Sequence, residues 1–308
     1  MGAVLVTGAA GQIGTELTST LRDRYGSRTV VASDVDPEPG LEGPYERVDV
    51  TDRSDLSRVM AEYGVDTVFH LAALLSAEGE RDPARTFDVN VGGLNALLAV
   101  GQERGVDRIV VPSSIAVYGP ETPQKPDERA FLFPTTMYGI TKVVTEHLGR
   151  YYSGRTELDV RGVRFPGIIS HETRPSGGTT DYAVNAFYGA IERGEYTYFV
   201  REDTRLPMIY MADAVRALVR LAEADREDLR FHCEYNVMGL SFTAGELTAR
   251  IRERVPDFQA RYAPDERQEI ADTWPATLDD TAARENWGWN AEYDLDRVAD
   301  DMLTHLRQ

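Results

Sequence analysis

Short apolar runs alternate with longer segments of helical period along most of this chain, and that alternation predicts an α/β fold built on a parallel sheet. Val4 to Thr7 reads as a buried strand, Gln12 to Arg24 as a helix, and Thr29 to Ser33 as a second strand. An irregular loop follows from Asp34 to Tyr45, carrying Pro37, Pro39, Gly40, Gly43 and Pro44, and Asp49-Val50 closes the next apolar stretch. Asp52 or Ser54 stands where it can cap a helix through Glu62. Thr67 to Ala73 is then a strand running into small residues. Asp82 to Arg104 reads as one long helix with Phe87, Val91, Leu94, Leu97 and Leu98 on more than one side. Such a helix has one face for the sheet and another for a second subunit. Val106 to Pro112 is the next strand.

In the second half, Asp159 to Ser170 predicts a strand followed by a turn at Pro166-Gly167, and a helix then runs to about Arg193. Asp213 is expected to start a helix to Ala224, and Glu234 to Val237 to form a short strand. Thr243-Ala-Gly-Glu246 has the spacing of a capping box, in which side chain and backbone satisfy each other at a helix start. Asp294 to Leu306 is an amphipathic terminal helix. No repeat, low-complexity stretch or separating linker is visible, so two coupled lobes are expected, one over 1–165 with segments returning from about 205–240, the other over 166–308.

Composition narrows the class. Hydrophobic content of 42% and charged content of 27% suit a soluble globular protein. No apolar run reaches the ~18 residues of a membrane span. A formal net charge of -18 argues against nucleic acid or an anionic membrane as partner. Cys233 is the single cysteine and the chain opens directly on a strand, so a reducing cytoplasm is the expected location. Lys125 and Lys142 are the only lysines among 33 basic residues, the rest being arginine. With the acidic excess, that resembles proteins of halophiles.

The chemistry clusters at the predicted strand ends. Gly8, Gly11 and Gly14, with Gln12 and Ile13 between the last two, sit at strand end, turn and helix start. Glycines there let backbone N–H groups approach a pyrophosphate at the positive end of the helix. Asp34 ends the second strand, where a carboxylate accepts hydrogen bonds from both adenosine ribose hydroxyls and repels a 2′-phosphate, which favours NAD over NADP. Asp49 and the Val50 backbone are placed to address adenine, and Leu71, Ala72 and Ala73 to let the cofactor lie on the sheet edge. Tyr138 and Lys142 lie one helical turn apart, so the ammonium is expected to lower the phenol pKa and ready it as a base. Ser114, at a strand end, can hold the substrate oxygen. Gly177 and Gly178 form a turn before Thr179 and Thr180, whose hydroxyls and N–H groups suit a small carboxylate. His70 is expected to be packed inside its strand, and the scattered histidines show no metal constellation.

Taken in order, the glycine turn, Asp34, the His-Leu-Ala-Ala run from His70, Ser113-Ser-Ile-Ala-Val-Tyr-Gly119 and the Tyr138/Lys142 pair resemble the extended, epimerase-like branch of the short-chain dehydrogenase/reductase superfamily. The resemblance implies a Rossmann-type doubly wound parallel sheet binding NAD, with a smaller C-terminal substrate-binding lobe. It implies catalytic roles for Ser114, Tyr138 and Lys142, and nicotinamide contacts from Pro166 and Ile168. Ala73-Leu-Leu-Ser-Ala77, Gly119-Pro-Glu-Thr-Pro123, the run from Ser176 to Ala183, Asp203 to Met211, Ala271 to Pro275 and Asn286 to Trp289 narrow it further. They are similar to the NAD-dependent L-threonine 3-dehydrogenases of that branch, which implies L-threonine as substrate and a homodimer. Leu75, Ser76, Gly178, Thr179 and Thr180 are then substrate-pocket residues, with Ser114 and Tyr138. Ser114 departs from the threonine found in some of these enzymes but keeps the hydroxyl. The rival readings are a sugar-nucleotide epimerase or dehydratase, in which Arg205 would bind a diphosphate, and a non-catalytic NAD-sensing regulator.

Overall fold

The computed structural model describes residues 2–37, 40–172, 174–175 and 178–307. Ala3–Thr7 (β1), Val30–Asp34 (β2), Tyr45–Arg47 (β3), Val65–His70 (β4), Arg108–Val110 (β5) and, after the short strand Ser113–Ser114 (β6), Asp159–Arg161 (β7) supply the central sheet. Its strand order is β3-β2-β1-β4-β5-β7, and every pairing is parallel. Side chains alternate across a strand, so Val4 and Val6 meet one helical layer and Leu5 the other. The helices Gln12–Tyr25 and Met211–Glu223 cover the first face, and Arg53–Tyr63 with Leu94–Arg104 the second. Burial on both faces is why these strands read as unbroken apolar runs. The winding reverses between β1 and β4, which opens a crevice beyond the C-terminal ends of the strands. Among the described residues no helix is long and apolar enough to cross a membrane.

The second half adds Val163–Phe165 (β8), Gly167–Ile169 (β9), Glu195–Tyr198 (β10), Arg205–Tyr210 (β11), Tyr235–Asn236 (β12), Leu240–Thr243 (β13) and Gln259–Tyr262 (β14). They form three small sheets, ordered β12-β8-β6, β13-β11-β9 and β10-β14. A separate apolar core, with Tyr182, Phe187, Leu206, Phe242, Phe258 and Met302, lies under the helices Tyr182–Glu192, Ala244–Arg254 and Leu295–Leu306.

Several sequence expectations change. The strand and turn expected over Asp159 to Ser170 are three short strands, β7, β8 and β9, each in a different sheet. Gly162 makes the first break, where a Cβ would stand 2.2 Å from the Val111 carbonyl oxygen. Pro166 makes the second, having no N–H for a ladder. Gly167 opens β9 instead of closing a turn. The long helix from Asp82 is interrupted by a π-helical turn, Asp88–Gly93. Within it the Asn90 amide exchanges hydrogen bonds with the Leu74 backbone (2.8 and 3.0 Å) and donates to Thr141 Oγ1 (3.1 Å). π turns recur at functional sites, and this one holds a buried polar side chain between the Leu74 backbone and the helix of Thr141. The helix expected to start at Asp213 starts two residues earlier, at Met211, with Asp213 in its first turn. Asp213 is fully buried there, bridged to Arg216 and accepting the Glu292 and Tyr293 N–H groups. A short strand, β3, ends the loop after Asp34, and a short helix, Ser76–Arg81, was not foreseen. The capping box at Thr243 and Glu246 is present with both of its hydrogen bonds.

Candidate active site

A cleft of about 410 Å³ opens at the C-terminal ends of the central strands. Its floor is the glycine turn. Gly8 has φ 72°, and a Cβ there would stand 2.5 Å from the Ala72 nitrogen; one on Gly14 would stand 2.1 Å from the Gly8 oxygen. Only glycine permits this approach of the turn to β4 and to itself. No side chain caps the helix Gln12–Tyr25 at Gly11, so the first-turn N–H groups face the cleft unclaimed by a capping group. That cradle fits a pyrophosphate. Beside it, Asp34 Oδ2 accepts the Ala10 N–H at 3.0 Å, which ties the carboxylate to the turn.

The facing wall comes from two tightly packed elements. Thr136 caps the helix Met137–Arg155 by accepting the Gly139 N–H at 3.1 Å. Gly139 lets this helix press on the turn after β6, since a Cβ there would sit 2.2 Å from the Ala116 oxygen. The approach sets Tyr138 against Ser114, whose Oγ accepts the Ala116 N–H at 3.2 Å. Lys142 is buried; its Nζ donates to the Pro112 carbonyl at 2.8 Å and lies 5.6 Å from the Tyr138 ring centre.

Electrostatics correct one expectation. Tyr138 is half-buried as a residue, yet desolvation of its hydroxyl pushes its pKa up to about 12, against a hydrogen bond with Ser114 that pulls it down. Burial lowers Lys142 to about 8, with the Glu146 charge opposing. The Lys142 ammonium bonds the Pro112 carbonyl, and burial keeps Tyr138 above its ordinary value. His70 is held near 3 by burial, then by Lys142, and its Nδ1 lies 2.7 Å from Thr7 Oγ1. It is the neutral, packed residue expected.

Of the residues singled out in the sequence, Gly8, Gly11, Gln12, Ile13, Gly14, Leu71, Ala73, Leu75 and Ser76 line the cleft. So do Ser114, Tyr138, Lys142, Pro166, Ile168, Gly178, Thr179 and Thr180. Ala72 stands behind Gly8, and Asp34 beside the turn. Asp49 is exposed and accepts from Thr51, while Val50 is buried against Gly93. Gly177, like Ser176, lies outside the described residues. The helix start expected at Thr179 falls later, at Tyr182, and Asp181 Oδ2 already accepts the Gly178 N–H at 2.5 Å. Arg205 lies away from the cleft, bonded to Glu246 (2.6 Å) and the Ser241 carbonyl (3.0 Å).

Other residues escaped sequence reasoning. Arg174, Asp181 and Trp274 line the cleft. Behind it, Glu146 receives Ser113 Oγ (2.6 Å) and a two-pronged bond from Arg164 (2.8 and 2.7 Å), all three buried. Glu146 lies one turn beyond Lys142, a spacing that was readable in the sequence. Arg164 and Ser113 carried no such signal.

A nucleotide cradle at the switch point, facing a Ser, Tyr and Lys set, defines an enzyme site of the short-chain dehydrogenase/reductase type. The chain belongs to the NAD dependent epimerase/dehydratase family, whose model matches residues 4–237. It is 41% identical to the mitochondrial L-threonine 3-dehydrogenase of Bos taurus, over 97% of this chain and 81% of that one. The holo form of a GalE-like L-threonine dehydrogenase from Cupriavidus necator superposes with a TM-score of 0.97 at 45% identity, covering 99% of each chain. A monomeric L-threonine 3-dehydrogenase from a metagenome, in its apo form, gives 0.95 at 44% identity, covering 99% of this chain and 98% of that one.

Proposed function

We propose that this protein oxidises the 3-hydroxyl of L-threonine to 2-amino-3-oxobutanoate with NAD. The observation that carries the reading is the convergence of Ser114, Tyr138 and Lys142 across the cleft from the uncapped glycine turn. The end-to-end likeness to threonine dehydrogenases supports the substrate. Arg205, paired outside the cleft, gives no support to the sugar-nucleotide rival.

In this reading Gly8, Gly11 and Gly14 would hold the pyrophosphate of NAD, Asp34 its ribose, and Asp49 with the Val50 backbone its adenine. Bound NAD supplies the hydride acceptor and a positive charge near Tyr138. Tyr138 takes the proton from the substrate 3-hydroxyl as general base. Ser114 holds the same oxygen and directs its lone pairs. Lys142, bonded to the Pro112 carbonyl, would also hold the cofactor ribose and add positive field at the phenolate. Thr179 and Thr180, with Arg174 nearby, offer donors for the threonine carboxylate, and Asp181 offers a charge for its ammonium. Pro166 and Ile168 pack beside the nicotinamide, while Leu71, Ala72 and Ala73 present little bulk to it.

We propose a division of labour between 1–165, which binds the cofactor, and 166–308, which supplies most of the substrate lobe. The half-exposed Phe87 and Ile140, on adjoining helices, fit a homodimer. A buried single cysteine fits a cytoplasmic location. The test is formation of reduced nicotinamide with L-threonine and NAD, against L-serine, D-threonine, NADP and UDP-sugars as controls. Turnover with threonine alone supports the reading. A folded, NAD-binding protein inert to threonine at every salt concentration overturns it.

A further inference from the structure

We propose that His171, Asp301 and His305 form a binding site for a divalent transition-metal ion, best suited to Zn2+, outside the catalytic cleft. In sequence the histidines look scattered. The fold brings one ligand atom from each of these three residues within 4.8 Å of the others. His171 follows β9, while Asp301 and His305 lie one turn apart on the helix Leu295–Leu306, hence on one face of it. Two imidazole nitrogens and a carboxylate oxygen suit Zn2+, and are the wrong donors for Mg2+ or Ca2+, which prefer oxygen alone.

The groups around the cluster orient it. His305 Nδ1 lies 2.9 Å from the Asp301 main-chain oxygen, so Nδ1 carries the proton and Nε2 presents its lone pair. The Tyr210 hydroxyl donates to the Asp301 carboxylate. The two rings lie 3.8 Å apart and parallel within 2°. To share an ion they must tilt, and the His305 side chain is 42% exposed.

The local charge is an independent indication. Beside the cluster is a cavity of about 270 Å³, where Glu16 accepts from Ser170 at 2.9 Å. The described residues lining it include Glu16 and Asp301 but neither Arg nor Lys. On the same terminal helix, by contrast, Asp296 and Asp300 are both bridged to Arg254. A bound cation would supply the missing charge. It would also clamp the terminal helix to the end of β9, whose continuation carries Arg174, Pro175 and Gly178 into the cleft.

The experiment is calorimetric titration of the untagged, EDTA-treated full chain with ZnCl2, with MgCl2 and CaCl2 as controls, for wild type, His171→Ala and His305→Ala. One saturable equivalent of Zn2+ is expected, weakened at least about tenfold in either variant. Melting curves in EDTA report whether each variant folds. Imidazole NMR signals of the wild type provide a readout that needs no variant, because the signals of His171 and His305 should move with Zn2+. Absence of saturable Zn2+ binding, binding retained in both variants, equal affinity for Mg2+, or movement confined to other histidines would each overturn the site.

Discussion

Lys142 directs its ammonium at the Pro112 carbonyl, 2.8 Å away, and not at the Tyr138 hydroxyl. The contact makes Lys142 a buried cation held by a neutral acceptor, so function and stability pull against each other here. The folded pKa of about 8 lies below the ordinary lysine value of 10.5. Between those values the unfolded chain holds a proton that the folded chain has released, so this group's contribution to stability rises with pH across that window. The shift corresponds to something on the order of 3 kcal/mol of strain below it. Lys142→Met should abolish most activity yet melt no lower than wild type near neutral pH, with its advantage shrinking as pH rises. A marked fall in its melting temperature at neutral pH would contradict this account.

Tyr138→Phe should lower kcat by roughly 10²–10⁴, the usual worth of a positioned general base. Cofactor affinity should barely change, because the phenol contributes only one of many contacts. Steady-state rates and a fluorescence titration with NADH separate the two. Undiminished kcat would remove Tyr138 from the mechanism.

Asp34→Asn should retain an acceptor for the Ala10 N–H while removing the charge that repels a 2′-phosphate. The ratio of kcat/KM for NADP over NAD is expected to rise, chiefly through a lower KM for NADP. An unchanged ratio would place cofactor discrimination elsewhere.

Glu146 and Arg164 form a buried ion pair directly behind Ser113. Glu146→Gln would leave the Arg164 guanidinium without its countercharge, at a cost of roughly 3–5 kcal/mol. Denaturant unfolding measures this. The double replacement Glu146→Leu with Arg164→Met should recover part of the loss, since it removes both charges together. If the single change is neutral, the pair does not bear on stability.

The net charge of -18 predicts a salt response. Screening shortens the reach of charge repulsion to about 3 Å in molar salt. Melting temperature and turnover should both rise from dilute buffer to molar KCl. A protein equally stable without salt would refute the halophilic reading.

Local patterns were enough for the pieces that local physics sets. The apolar runs at Val4 and Val30, the glycines whose spacing only a tight turn uses, and the Tyr138 and Lys142 spacing all state their geometry within a few residues. Each came out close to where it was expected. The π turn at Asp88–Gly93 left no local signal, and the Asn90 bonds within it reach Leu74 and Thr141, outside the span that a local pattern covers.

What the sequence alone determined is therefore the sheet, its helices and the chemical groups at the strand ends, since hydrophobic period and glycine conformation act over short spans. Tertiary structure decided the rest. It split Asp159 to Ser170 among three sheets, turned Lys142 to the Pro112 carbonyl, drew Arg205 away from the cleft, and brought His171 to His305. These outcomes depend on which distant groups share a desolvated space. Burial there raises Tyr138 against its hydrogen bond with Ser114, and no pattern along the chain records how deeply a group is buried.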